Sequence, residues 1–177
     1  MKKLVIGVFA VLMGCDSAGQ LIPGGEVVEE QDVEAITPGT AQGALYSGTW
    51  VLDTTVTVTN CDLFNLAGDV LPKKGEKDDE DVVLLQNGGE LTRAVDDLGS
   101  AYTFKGGVDQ DGSFTYGIFY DLQVGVKYIE VTRGTMKLSQ GGGQATLTGT
   151  SVRRYLGAVV DCSATMSVSG KRTLIGG

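Results

Sequence analysis

Residues 101–120 read Ala101-Tyr102-Thr103-Phe104-Lys105-Gly106-Gly107-Val108-Asp109-Gln110-Asp111-Gly112-Ser113-Phe114-Thr115-Tyr116-Gly117-Ile118-Phe119-Tyr120, two alternating runs about a polar turn. Tyr102, Phe104 and Val108 share one side of the first run, and Phe114, Tyr116, Ile118 and Tyr120 one side of the second. Alternation with a period of two belongs to half-buried strands, and Asp109-Gln110-Asp111-Gly112 has the composition of a hairpin turn. Asp109 and Asp111 do not open a calcium loop: the glycine comes too early, and Tyr120 stands where the closing glutamate belongs.

The same texture extends from Leu45 to the C-terminus. A first strand is expected over Gly48 to Asn60, with Trp50, Leu52, Thr54, Val56 and Val58 on one face. A second covers Leu63 to Val70, and the charged stretch from Leu71 to Asp81 reads as a solvated loop. Val82 to Gln86 is a short strand ending at the Asn87-Gly88-Gly89 turn. Leu91, Ala94, Val95 and Leu98 recur at helical spacing, so residues 90–98 are read as a short helix, with a further strand as an equal alternative. Further strands are expected over Val124 to Thr132, Thr135 to Ser139, Ala145 to Val152, Leu156 to Val160 and Cys162 to Lys171. Glycines beside or inside these runs suit bulges and bends, which favour a curled sheet. The expected fold is therefore all-β: an antiparallel meander of about eight to ten strands forming a small β-barrel or a β-sandwich over residues 45–177.

The chain begins differently. Lys2 and Lys3 precede an uncharged run from Leu4 to Gly14, too short to span the roughly 30 Å of a bilayer core as a helix. A basic end followed by a short apolar run reads as an export signal. Leu12-Met13-Gly14-Cys15 resembles the lipobox of bacterial lipoproteins, with Met13 departing from the smaller residue usual at that place. The resemblance covers about the first fifteen residues. It implies cleavage after a signal peptide of residues 1–14 and a lipidated N-terminus at Cys15. It also implies attachment to the bacterial cell envelope, at the outer membrane or the periplasmic face of the inner membrane. Two or more acyl chains anchor a protein stably.

Losing Lys2 and Lys3 would leave 12 basic against 22 acidic side chains, a net charge of −10. Such a chain repels nucleic acid, so no nucleic-acid partner is expected. Residues 15–44 carry acidic side chains but no lysine or arginine, and are broken by Pro23-Gly24-Gly25 and Pro38-Gly39. They read as a disordered acidic tether; a short helix through residues 27–36 is the alternative, with Val27, Val28, Val33 and Ile36 as its weak apolar face.

With Cys15 assigned to lipid, one cysteine pair remains, Cys61 and Cys162. In an oxidising compartment an even remainder points to a disulfide, with two buried free thiols as the alternative. Two thiolates without histidine fall short of a structural zinc site unless Asp62 or Asp161 joins them. Gly48-Thr49-Trp50 ahead of a long strand also resembles the Gly-x-Trp start of lipocalins, barrels that in many members hold small apolar ligands. In that family a basic residue near the last strand packs over the tryptophan. Arg153, Arg154, Lys171 and Arg172 are the candidates here, and their spacing selects none of them.

With no histidine in the chain, triads and histidine metal sites of the usual kind are excluded, and no cofactor is implied. An enzyme would need a carboxylate pair such as Asp53 with Asp121 or Glu130, which no spacing singles out. The expected function is a non-catalytic binding domain on a lipid anchor, its partner a small apolar ligand or an envelope protein. The alternative is a purely structural or surface-display protein. For a cavity in the barrel, Trp50, Phe104, Phe114, Tyr116, Ile118 and Tyr128 would supply an apolar wall with polar tips.

Overall fold

In the computed structural model the described residues are 25–64, 71–94, 102–122, 125–140 and 143–173. A short helix α1 (Glu30–Glu34) is followed by β1 (Gly48–Thr59), β2 (Lys77–Asn87), β3 (Glu90–Ala94) and β4 (Thr103–Val108). The chain continues through β5 (Ser113–Leu122), β6 (Val126–Leu138), β7 (Ala145–Gly157) and β8 (Val160–Arg172). All neighbours are antiparallel in sequence order, and β8 returns to pair with β1, which closes an eight-stranded barrel. Closure rather than stacking into a sandwich leaves no unpaired sheet edge.

The hairpin that opened the sequence reading is β4–β5, with Lys105 to Val108 paired to Gly117 back to Phe114. Gly106 faces Tyr116 in that register, where a Cβ would lie 2.6 Å from both the Tyr116 Cβ and the Thr115 carbonyl oxygen. Glycine there lets the ring fill the barrel. Gly112 ends the turn at φ +84°, in the left-handed region that glycine occupies without strain.

Several boundaries differ from the sequence reading. Residues 90–94 take the strand alternative as β3 rather than the helix, because Leu91 and its neighbours pair with β2 on one side and β4 on the other; residues 95–98 lie outside the described residues. Tertiary pairing overrides a short helical spacing. The acidic run Asp78-Asp79-Glu80-Asp81 lies inside β2: Asp79 and Asp81 remain exposed, and the intervening Glu80 pairs with Arg93. The strand expected over 63–70 is replaced at its start by a 3₁₀ turn, Cys61–Leu63; residues 65–70 lie outside the described residues. The breaks expected within β6 and at residues 153–155 of β7 are absent, since Gly134 and Gly149 pair across the two strands without interrupting either ladder.

Residues 25–44 pack on the barrel, which corrects the tether expected there. The short helix realises the alternative reading. Val28 and Val33 are buried against Ile129, Val131 and Val152 on the outer face of β6 and β7, with Ile36 and Phe119 beside them. Glu26, Glu29 and Glu30 pair with Arg133, Arg154 and Lys127 respectively. Acidic residues suited a solvated tether; the barrel turns three of them into partners for its own cations. Cys15 and residues 16–24 lie outside the described residues.

The two ends of the barrel are unlike. One, the base, carries the tight β2–β3 and β4–β5 turns and is crossed by the chain from Thr37 to Ser47. This strap is held by Gly39 N donating to Gly89 O at 2.8 Å and Ala41 N to Val108 O at 3.0 Å. Tyr46 is buried there, and its carbonyl accepts the Trp50 indole N–H at 3.1 Å. Arg172 pairs in register with Trp50 across the β1–β8 seam. Its guanidinium donates to Leu45 O at 2.6 Å and Ser47 O at 3.3 Å, which seals the strap onto the last strand.

At the other end, the mouth, Cys61 and Cys162 lie at disulfide distance, with Sγ–Sγ 2.19 Å and Cα–Cα 5.0 Å. Cys61 follows β1 and Cys162 lies in β8, so the bond fastens the seam where the barrel closes.

Candidate binding site at the mouth of the barrel

Inward-facing residues change character from base to mouth. Near the base, Trp50, Leu84, Leu91, Val108, Phe114, Met136 and Leu147 are buried in an apolar filling. Toward the mouth the same alternation brings charged residues inside. Tyr128, Glu130 and Thr132 share one phase of β6, and Ser151, Arg153 and Tyr155 share one phase of β7. Arg93 enters from β3 and Glu80 from β2.

Glu130 is the hub of this interior and is only 3% exposed. Its carboxylate accepts the Arg153 Nε–H at 3.1 Å, the Ser151 hydroxyl at 2.9 Å, the Thr132 hydroxyl at 3.3 Å and the Tyr128 hydroxyl. Burial opposes its ionisation. The Arg153 and Arg93 charges and the hydroxyl bonds outweigh burial and hold its carboxyl below the ordinary value.

Arg93 is buried beside it. One guanidinium nitrogen donates to both oxygens of Glu80, and its carbon lies 4.6 Å from the Phe104 ring centroid and 6.0 Å from that of Tyr116. Burial disfavours the charges of Arg93 and Arg153, but the surrounding carboxylates and tyrosines keep both cationic. Two carboxylates and two guanidiniums thus balance within the barrel, and each group sits in the field of the others. Such a cluster contributes little net stability compared with an apolar filling, but removing one member strands the rest.

Four tyrosines form a belt around one side of the mouth. Ring centroids are 5.0 Å apart for Tyr102 and Tyr120, 5.1 Å for Tyr120 and Tyr128, and 5.3 Å for Tyr128 and Tyr155. Burial and the neighbouring Glu130 charge push the Tyr155 hydroxyl up to about 12, although Arg153 pulls the other way. Burial likewise raises Tyr128 and Tyr120, so the hydroxyls of Tyr120, Tyr128 and Tyr155 are neutral O–H groups at physiological pH.

A cavity of about 190 Å³ opens here, lined by Thr54, Val56, Leu71, Pro72, Glu76, Asp78, Arg153, Tyr155 and Met166. A second, of about 250 Å³, lies between the strap and the β4–β5 hairpin, with Thr37, Thr40, Asp109, Ser113 and Phe114 among its walls. Asp109 there already accepts both the backbone N–H and the hydroxyl of Thr40, which makes it a fastening of the strap.

The six residues expected to line a ligand cavity all lie in the barrel's main apolar cluster and are at most 8% exposed. Trp50 and Phe114 pack toward the base, Phe104, Tyr116 and Ile118 toward the middle, and Tyr128 in the tyrosine belt. Their neighbours near the mouth are charged: Glu80, Arg93, Glu130 and Arg153 were not among the residues expected to line the cavity, although Arg153 was a candidate partner of Trp50 and Glu130 a candidate carboxylate. Phase along β6 and β7 was the available signal, but Arg153 fell in a supposed gap between two strands. Of the carboxylates considered for catalysis, Asp53 and Asp121 are exposed, whereas Glu130 is buried inside the barrel.

Fold and site together define a closed, eight-stranded meander barrel with a sealed base and an amphipathic mouth. No protein-family model matches the chain, and no curated protein or solved structure matches it significantly.

Proposed function

We propose that the protein is a lipid-anchored component of the bacterial cell envelope whose barrel binds a small molecule at its mouth without transforming it. The observation that carries this reading is the asymmetry of the barrel. One end is closed by Trp50, Tyr46 and Arg172, and the other holds a cavity in which charged, hydroxyl and apolar groups converge. Trp50 opposite Arg172, with the arginine donating to carbonyls of the strap, supports a lipocalin-like reading in which Arg172 is the basic residue of the last strand. Cys61 and Cys162 at bonding distance suit an oxidising compartment such as the periplasm.

The anchor rests on the first fifteen residues, with Cys15 as the acylated N-terminus and residues 1–14 as its signal peptide. Gly25 lies ten positions after Cys15, a stretch that at full extension reaches about 35 Å, so the barrel would stay close to the bilayer. The outer face of the barrel carries Asp53, Asp79, Asp81 and Glu90 exposed, which suits water rather than acyl chains.

The test is native mass spectrometry of the protein extracted from envelope fractions, alongside palmitate labelling of the wild type and a Cys15→Ser variant. Label dependent on Cys15 and a retained small-molecule mass are the expected results. Label that persists in C15S overturns the anchor. An empty barrel that also binds nothing from an envelope extract overturns the binding function in favour of a structural or display role.

A further inference from the structure

The mouth cavity has an arrangement of charge that restricts its ligand. Arg153 commits its Nε–H to Glu130, while its two terminal nitrogens make no hydrogen bond to any described residue. On the rim, Glu76 and Asp78 line the same cavity, and neither forms an ion pair with Arg153 among the described residues. Between these groups lie Val56 and Met166, which pack on one another, and the Tyr155 ring.

A simple anion would meet two carboxylates at the rim, and a simple cation would meet the guanidinium below. A molecule carrying both charges at one end satisfies each group with the opposite sign. A guanidinium also suits a carboxylate geometrically, since its paired N–H groups match the two oxygens. The volume is limited too: about 190 Å³ is roughly six times the 30 Å³ share of a liquid water, which restricts the ligand to a small molecule.

Building on the binding function proposed above, we propose that the mouth cavity takes a small zwitterion of the α-amino-acid type with an apolar side chain. Its carboxylate sits on the terminal nitrogens of Arg153, its ammonium group between Glu76 and Asp78, and its side chain against Val56 and Met166.

The experiment uses the full chain in nonionic detergent, with three probes read by titration calorimetry: L-leucine, isocaproate, which lacks the ammonium group, and isoamylamine, which lacks the carboxylate. Leucine is expected to bind saturably, and each half-charged analogue about tenfold or more weakly, as the loss of one charge-assisted contact implies. Arg153→Lys keeps a charge beside Glu130 but loses the fork. It should weaken leucine and isocaproate about tenfold and leave isoamylamine unchanged. The double variant Glu76→Gln, Asp78→Asn changes exposed residues only and so keeps the fold; it should weaken leucine and isoamylamine but not isocaproate.

Either analogue binding as tightly as leucine overturns the zwitterion, as does rim substitution without effect on leucine. If leucine fails to bind while native mass spectrometry finds another retained molecule, the ligand class is wrong and the binding function stands. If neither is found, both fall.

Discussion

Replacing Glu130 with glutamine removes one negative charge from the barrel interior at almost constant volume. Arg153, its side chain 21% exposed, then loses the one carboxylate it is hydrogen-bonded to among the described residues, and Arg93 loses part of the field that sustains its charge. Breaking a buried ion pair from one side costs about 3–5 kcal/mol. The amide still accepts one of the hydroxyl bonds, so the lower end, about 3 kcal/mol, is expected. With a urea m-value of about 2 kcal/mol per molar for a domain of this size, the unfolding midpoint should fall by about 1.5 M near neutral pH.

The dependence on pH supplies a second readout. Glu130 titrates below its ordinary value in the folded state, so its contribution is fully present above the unfolded carboxyl range. It is lost as pH falls through the lower, folded value. The difference between wild type and E130Q should therefore shrink as pH falls below about 5. Replacing both partners, Glu130→Leu with Arg153→Met, should recover most of the loss, because no charge is then stranded. A midpoint change under about 0.3 M in E130Q, or a gap independent of pH, would refute the view that this carboxylate is held ionised by its neighbours.

Reduction of the Cys61–Cys162 pair frees a loop with a sequence separation of 101, worth up to about 4.7 kcal/mol in the chain-entropy picture; calorimetry of the Cys61→Ser, Cys162→Ser variant should show a large drop in Tm. Arg172→Met leaves the Leu45 and Ser47 carbonyls without their donor and should cost about 2 kcal/mol by urea titration, with amide exchange rising in the strap before the mouth. Val33→Asp places a charge where a 1% exposed valine packs on the barrel; limited proteolysis should then cut within residues 25–44 while the β-sheet circular dichroism persists. Tyr155, buried and held near 12, should stay un-ionised at pH 11 in a tyrosine absorbance titration of the folded protein, whereas unfolding exposes it to ionise near its ordinary value. Because the folded form keeps that proton longer, stability should fall as pH rises from about 10 toward 12.

Period-two alternation, turn residues and cysteine arithmetic are local signals, and through them the sequence alone determined an all-β meander and its central hairpin and pointed to Cys61 and Cys162 as a pair. Whether that meander closes or stacks depends on β8 meeting β1, a contact between residues more than a hundred positions apart, which no window on the chain contains. Closure also decided what the charges mean. Arg93, Glu130 and Arg153 look solvated in a linear reading; once the sheet curls, their phase on each strand carries them inside, where they must neutralise one another. The acidic stretch before β1 likewise has the composition of a tether, and only the cations and apolar stripe on the outer face of β6 and β7 give Val28, Val33 and three glutamates a surface to pack on.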